Sequence, residues 1–140
     1  MADYKQIITE ALQKVITERG YQGAIRNRNI HEQALAHRLA FHLENSGYFQ
    51  GFNIDCEYNR HGDEPKGFRP DILIHLRGTD DNNLIMIETK KFNDPKNELI
   101  EAKQNLEEIH REYHYRHAFL VVFPEQGLLT DSVVEINNHA

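Results

Sequence analysis

Apolar residues recur along this chain in two rhythms, one helical and one alternating. Between residues 4 and 19, Ile8, Leu12 and Val15 share one helical face, Asp3 stands where an N-cap belongs and Gly20 where a helix ends. That pattern predicts an amphipathic helix. Residues 20–29, G-Y-Q-G-A-I-R-N-R-N, read as a loop with two arginines. A second helix is predicted from Ile30 to Asn45, capped by Asn29, with Ala36, Leu39, Ala40 and Leu43 facing inward.

The period then drops to two. Phe52, Ile54, Cys56 and Tyr58 alternate with Asn53, Asp55 and Glu57, which predicts a half-exposed strand over 52–58. A polar loop follows at 60–69. D-I-L-I-H-L-R at 71–77 is a second strand, G-T-D-D-N-N at 78–83 a hairpin turn, and L-I-M-I-E-T-K at 84–90 a third strand. The third strand is apolar on both faces, so it belongs in the middle of a sheet. Asp94-Pro95 starts a helix that runs to Tyr113, with Leu99, Ala102, Leu106, Ile109 and Tyr113 as its buried stripe. A-F-L-V-V-F at 118–123 is a buried strand stopped by Pro124. The tail beyond Gln126 fits a short helix or an edge strand.

The element order is therefore α-α-β-β-β-α-β. It predicts an α/β fold: an antiparallel meander, a crossover helix, and a last strand parallel to the third. The 140 residues suit one domain, 1–140, with no linker or internal repeat.

Composition narrows the class. Apolar residues make up 39% and charged residues 27%, which fits a folded chain rather than a disordered one. No apolar run approaches the ~20 residues a membrane-spanning helix needs, and M-A-D-Y-K-Q is no signal peptide, so no membrane partner is expected. The single cysteine, Cys56, allows no internal disulfide, and a cytoplasmic location is expected. The formal net charge of −6 argues against tight, stable nucleic-acid binding, which depends on neutralising phosphates. It argues less against an enzyme that binds transiently and keeps carboxylates around a metal.

One constellation carries chemistry. Glu88 and Lys90 lie two apart on the third strand and so share a face. If 78–83 is the hairpin turn, Asp71, at the start of the second strand, meets them at one end of the sheet. Two carboxylates beside a lysine suit a hard divalent cation such as Mg²⁺, or Mn²⁺, which takes oxygen ligands and keeps several waters. Such a cation lowers the pKa of a bound water and neutralises charge on a phosphate. Lys90 would position or deprotonate the water, or stabilise phosphate oxygens. Glu32 is a fourth candidate. It precedes Ala36, Leu39 and Leu43 by four, seven and eleven residues, which places it at the N-terminal turn of the buried helix face. Asn29-x-x-Glu32 also has capping-box spacing, and the two roles are compatible.

Pro70-Asp71, sixteen further residues, then Glu88-Thr89-Lys90 resembles the signature of the PD-(D/E)XK, restriction-endonuclease-like nucleases. Three further features extend the likeness: an acid on the first core helix, Arg38-Leu39-Ala40 after Glu32, and D-C-E-Y-N-R at 55–60. The resemblance covers about residues 29–124 and is nearest the small stand-alone prokaryotic and phage members. It implies a restriction-endonuclease-like αβββαβ core, with a mixed central sheet flanked by helices and an extra N-terminal helix. It implies that Asp71, Glu88 and the Thr89 main-chain carbonyl ligate Mg²⁺, that Glu32 binds metal directly or through water, and that Lys90 is catalytic. The function it implies is metal-dependent phosphodiester hydrolysis, on DNA rather than RNA, leaving 5′-phosphate and 3′-hydroxyl ends. One chain offers one site, so cutting both strands would need a homodimer. The rival reading is a catalytically inert nucleic-acid-binding or assembly subunit on the same fold.

Other residues invite blander readings. His110, His114 and His117 cluster in sequence, but no H-E-x-x-H accompanies them and Cys56 is distant, so they are expected as solvated histidines near a helix end. His31, His37 and His42 are expected on the surface. Arg26, Arg28, Tyr58, Asn59, Arg60, Lys66 and Arg69 make either a phosphate-facing rim or ordinary surface charge.

Overall fold

A computed structural model describes residues 2–27, 32–56, 70–78 and 82–136. Helix α1 is Tyr4–Ile16, with the Asp3 side chain accepting the Gln6 N–H at 3.1 Å as its predicted cap. It ends earlier than its apolar pattern suggested, because the chain turns through Gly20 at φ +90° and enters a second helix, α2 (Tyr21–Arg26). The stretch read as a loop from 20 is therefore partly helical. Tyr21 and Ile25 stand four apart, both are buried, and the Tyr21 hydroxyl donates to the Pro124 carbonyl at 2.6 Å. Helix α3 is Glu32–Glu44. The predicted cap Asn29 and its capping box lie outside the described residues, as do the loop at 60–69 and the far end of the first predicted strand.

Strands β1 (Asn53–Cys56), β2 (Ile72–His75) and β3 (Ile85–Lys91) form an antiparallel meander. Helix α4 (Lys96–Tyr113) crosses over to β4 (His117–Phe123), which runs parallel to β3. Strand β5 (Val133–Glu135) adds antiparallel to β4 and completes a five-stranded mixed sheet in the order β1-β2-β3-β4-β5. The tail left open between helix and strand thus supplies an edge strand.

Alternation along the strands divides the core into two layers. Ile72, Ile74, Ile85, Ile87, Phe119, Val121 and Phe123 face α1, α2 and α3. Leu73, Met86, Ala118 and Leu120 face Ala102, Leu106 and Ile109 of α4. Of the predicted stripe of α4, Ala102, Leu106 and Ile109 are buried and Leu99 and Tyr113 only partly so, while His110, expected in solvent, is 6% exposed. Desolvation pushes the His110 imidazole below its ordinary value. Beyond it, His114 turns into the left-handed region at φ +57° and ends the helix, while the Asn83 side-chain amide donates to the Tyr113 carbonyl at 2.8 Å. Among the described residues, no helix is long and apolar enough to cross a membrane.

Candidate active site

The sheet face that carries α4 also carries the predicted acids. Ile72 pairs with Ile87, so one step outward Asp71 stands across from Glu88. Along β3, Met86, Glu88 and Lys90 point to the α4 side, and Thr89 and Lys91 to the other. The strand stays apolar up to Ile87, so Glu88 enters the site with almost no solvent. It is 8% exposed.

Two hydrogen bonds orient Asp71. Its Oδ2 accepts the Thr89 main-chain N–H at 2.7 Å and the Thr89 hydroxyl at 2.8 Å. Thr89 itself is fully buried. The Asp71 carboxylate is thereby held over the end of β3, within hydrogen-bond reach of the Glu88 side chain. The Glu88 carboxyl is pushed up to about 10, by burial first and then by the charge of Asp71, against which Lys90 offers partial relief. Among the described residues nothing hydrogen-bonds Glu88 Oε1, although that oxygen is shut away from water. A buried oxygen without a partner costs about 1–3 kcal/mol.

Glu32 joins from the opposite layer, as the first residue of α3. Burial raises its carboxyl to about 8, helped by its hydrogen bond to the Asp94 carboxylate and by the charges of Asp94 and Asp71. Burial also opposes ionisation of Asp94, but its bonds to Glu32 and to the Lys91 N–H outweigh that and hold it below its ordinary value. Lys90 lies close enough that its charge acts on Glu32, Glu88 and Asp94 together. The structure thus gathers Asp71, Glu88, Lys90 and Glu32 at the end of β3 where its parallel partner β4 also ends, the side of a parallel pair at which ligand sites form.

Glu88 and Lys90 open into a hollow of about 260 Å³, walled on the far side by Glu98, Glu101, Ala102 and Asn105 of α4. Sequence reasoning passed over these wall residues, though their i, i+3, i+4 and i+7 spacing marks one helix face. It also read Asp94 as the α4 cap. Instead the Pro95 carbonyl takes the Glu98 and Leu99 N–H groups, and the Asp94 carboxylate turns back onto Lys91. Lys91 escaped notice altogether: it is 5% exposed and its ammonium donates to the Asn27 carbonyl at 3.1 Å.

Among the described residues, no three His, Cys, Asp or Glu side chains stand close enough together to cage a metal by themselves. This holds for His110, His114 and His117 as well. It leaves the acid pair: Mg²⁺ retains several waters and takes one or two carboxylates, and a cation there would give Glu88 Oε1 the partner it lacks. On that observation Asp71 and Glu88 fit a hard divalent cation. Of the suggested phosphate-facing rim only Arg26 is described, exposed and 3.7 Å from Glu125; the other six residues lie outside the described set.

No protein-family model, no curated protein and no solved structure matches the chain.

Proposed function

We propose that this protein is a metal-dependent phosphodiesterase of the restriction-endonuclease-like type, acting on DNA in preference to RNA. The observation that carries the reading is the buried Glu88 carboxyl, paired with Asp71 beside Lys90, with one oxygen that no described group satisfies. A purely structural acid would be expected to find its partners within the fold. The fold reading draws support from element order: a helix bearing an acid, a three-stranded meander, a crossover helix and a parallel strand.

Asp71 and Glu88, with the Thr89 main-chain carbonyl, would hold Mg²⁺ or Mn²⁺, and Glu32 would join directly or through water. The ion, when bound, supplies charge neutralisation on the phosphate and acidifies a water. The rest falls to the chain. Thr89 fixes Asp71 through two bonds, so the acid pair is held in place before substrate arrives. Lys90, on the same strand face as Glu88, presents an ammonium to the phosphate oxygens or to the attacking water. The hollow between β3 and α4 admits the substrate strand. One chain has one such site, so a monomer nicks or trims, and a homodimer would be required to cut both strands at once.

The acidic wall formed by Glu98 and Glu101, on a chain of net charge −6, favours the second reading: an inert nucleic-acid-binding or assembly subunit on this fold. Incubating supercoiled plasmid and single-stranded DNA with the protein and Mg²⁺ or Mn²⁺ separates the two. The hydrolase reading expects conversion that stops with EDTA and with Lys90→Ala. Conversion that survives either treatment, or none under any condition, rejects it.

A further inference from the structure

One wall of the hollow has no work in the reaction as described. Glu98, Glu101 and Asn105 stand at i, i+3 and i+7 on α4 and line the hollow of about 260 Å³ opposite Glu88 and Lys90. Glu98 and Glu101 are exposed and Asn105 is half-buried. Their side chains enter none of the ion pairs or side-chain hydrogen bonds among the described residues. Nor do they build a second metal cage, since no three acidic side chains of the described set stand close enough for one. The hollow itself bears the mark of a ligand site: Glu88, 8% exposed, lines it and has an oxygen without a partner among the described residues.

The two walls differ in what they attract. On the β3 side, Lys90 and a cation held by Asp71 and Glu88 would draw a phosphate. On the α4 side, two carboxylates repel one. A nucleotide whose phosphate lies against β3 therefore turns its base towards α4. Carboxylates only accept hydrogen bonds, and the Asn105 amide both accepts and donates. Such a wall suits the amino groups of cytosine and adenine and opposes thymine, which offers a carbonyl oxygen where cytosine offers N–H₂. The volume lies near the ~300 Å³ lower end of small-ligand sites, room for one nucleotide but not for a base pair with both its backbones. We propose that the protein cleaves unpaired DNA, and that Glu98, Glu101 and Asn105 select an amino-bearing base, cytosine or adenine, beside the scissile phosphate. The inference rests on the metal-dependent reading given above.

The test uses the full chain with Mn²⁺ and single DNA strands of cytosine, adenine or thymine alone, beside the adenine–thymine duplex. Initial cleavage rates are read on wild type, on Asn105→Ala and on the double variant Glu98→Gln with Glu101→Gln. Fluorescence anisotropy reads binding of the same strands to Lys90→Ala, which should hold them uncut. Wild type is expected to cleave cytosine and adenine strands roughly 5–150-fold faster than thymine strands, the discrimination of one good base contact, and to leave the duplex nearly untouched. Binding should rank the strands in the same order. Glutamines donate to thymine oxygens and no longer repel them, so the double variant should speed thymine-strand cleavage and shrink the ratio. Asn105→Ala should shrink it less. Equal rates on the three strands, a ratio kept by the double variant, or a duplex cut faster than its adenine strand overturns the proposal and leaves the metal-dependent reading standing. So does a double variant that no longer binds Mn²⁺ in calorimetry, because the wall would then be a cation site. A wild type that cleaves no strand removes the metal-dependent reading and this role with it.

Discussion

Two clusters of ionisable side chains lie on the α4 face of the same sheet, and they are built in opposite ways. At the β1–β2 edge, Asp55 accepts Arg77 Nε at 2.9 Å and Nη2 at 2.6 Å, and lies 2.9 Å from Nε2 of the fully buried His75. The Arg77 guanidinium, and then His75, hold the Asp55 carboxyl below its usual range. Two strands away, Glu88 faces another acid and is pushed the other way. Both clusters bring ionisable groups out of water, but only the first matches each charge with an opposite one. A buried charge with its counterpart is explained by the fold; carboxyls gathered on carboxyls carry a cost that protonation relieves and that a bound cation would relieve as well. The contrast separates architecture from site more sharply than either cluster does alone.

The comparison can be broken most directly through activity. Lys90→Ala should lower plasmid cleavage by about 10²–10⁴-fold, the range a positioned acid–base group contributes, while Arg77→Ala should leave it unchanged. Equal effects in a gel assay of initial rates would erase the distinction. The pH dependence of the metal-free protein comes next, because the two acids have opposite signs. Glu88 is raised from 4.5 to about 10, so its contribution is complete below pH 4.5 and is lost as pH climbs towards 10. Asp55 is lowered, so its contribution is present above the ordinary carboxylate range and is lost as pH falls below it. Thermal unfolding should therefore weaken on the alkaline side by roughly 4 °C or more, the equivalent of about 1 kcal/mol in a domain of this size. Glu88→Gln should flatten the alkaline arm and Asp55→Asn the acid arm, and added Mg²⁺ should restore the wild type at high pH. Third, Asp55→Ala leaves His75 buried without its carboxylate and should cost about 1–3 kcal/mol in urea unfolding with cleavage per folded molecule intact. Smallest, Thr89→Val removes one of two bonds to Asp71; about 1 kcal/mol of lost positioning corresponds to a roughly 5-fold slower cleavage with little change in melting.

Much of this was legible in the sequence, for physical reasons that differ by element. The buried runs at 85–87 and 118–121 had nowhere to go but a sheet interior, and the turn chemistry between β2 and β3 fixed which ends meet, so Asp71, Glu88 and Lys90 could be placed together. Short elements escaped because their stability comes from what they pack on. Helix α2 exists through Tyr21 and Ile25, and β5 through pairing with β4. The Asp94-Pro95 signature marked the right boundary with the wrong bonds, since a carboxylate free to cap a helix found a nearer N–H at Lys91. His75, His110 and Lys91 carry polar side chains that composition assigns to the surface, and only the covering layers reveal their burial. The contact between Glu32 and Asp94 joins residues 62 positions apart (94 − 32) and has no local trace.

The packing of α1 has a consequence for how the chain acquires this shape. That helix rests against α3 and also against β4 and β5, which are made last. Part of its seat is missing until more than a hundred further residues have been synthesised. Closing so long a loop is entropically slow, so during translation α1 has only α2 and α3 to pack on, and the part of its apolar surface that β4 and β5 cover stays open.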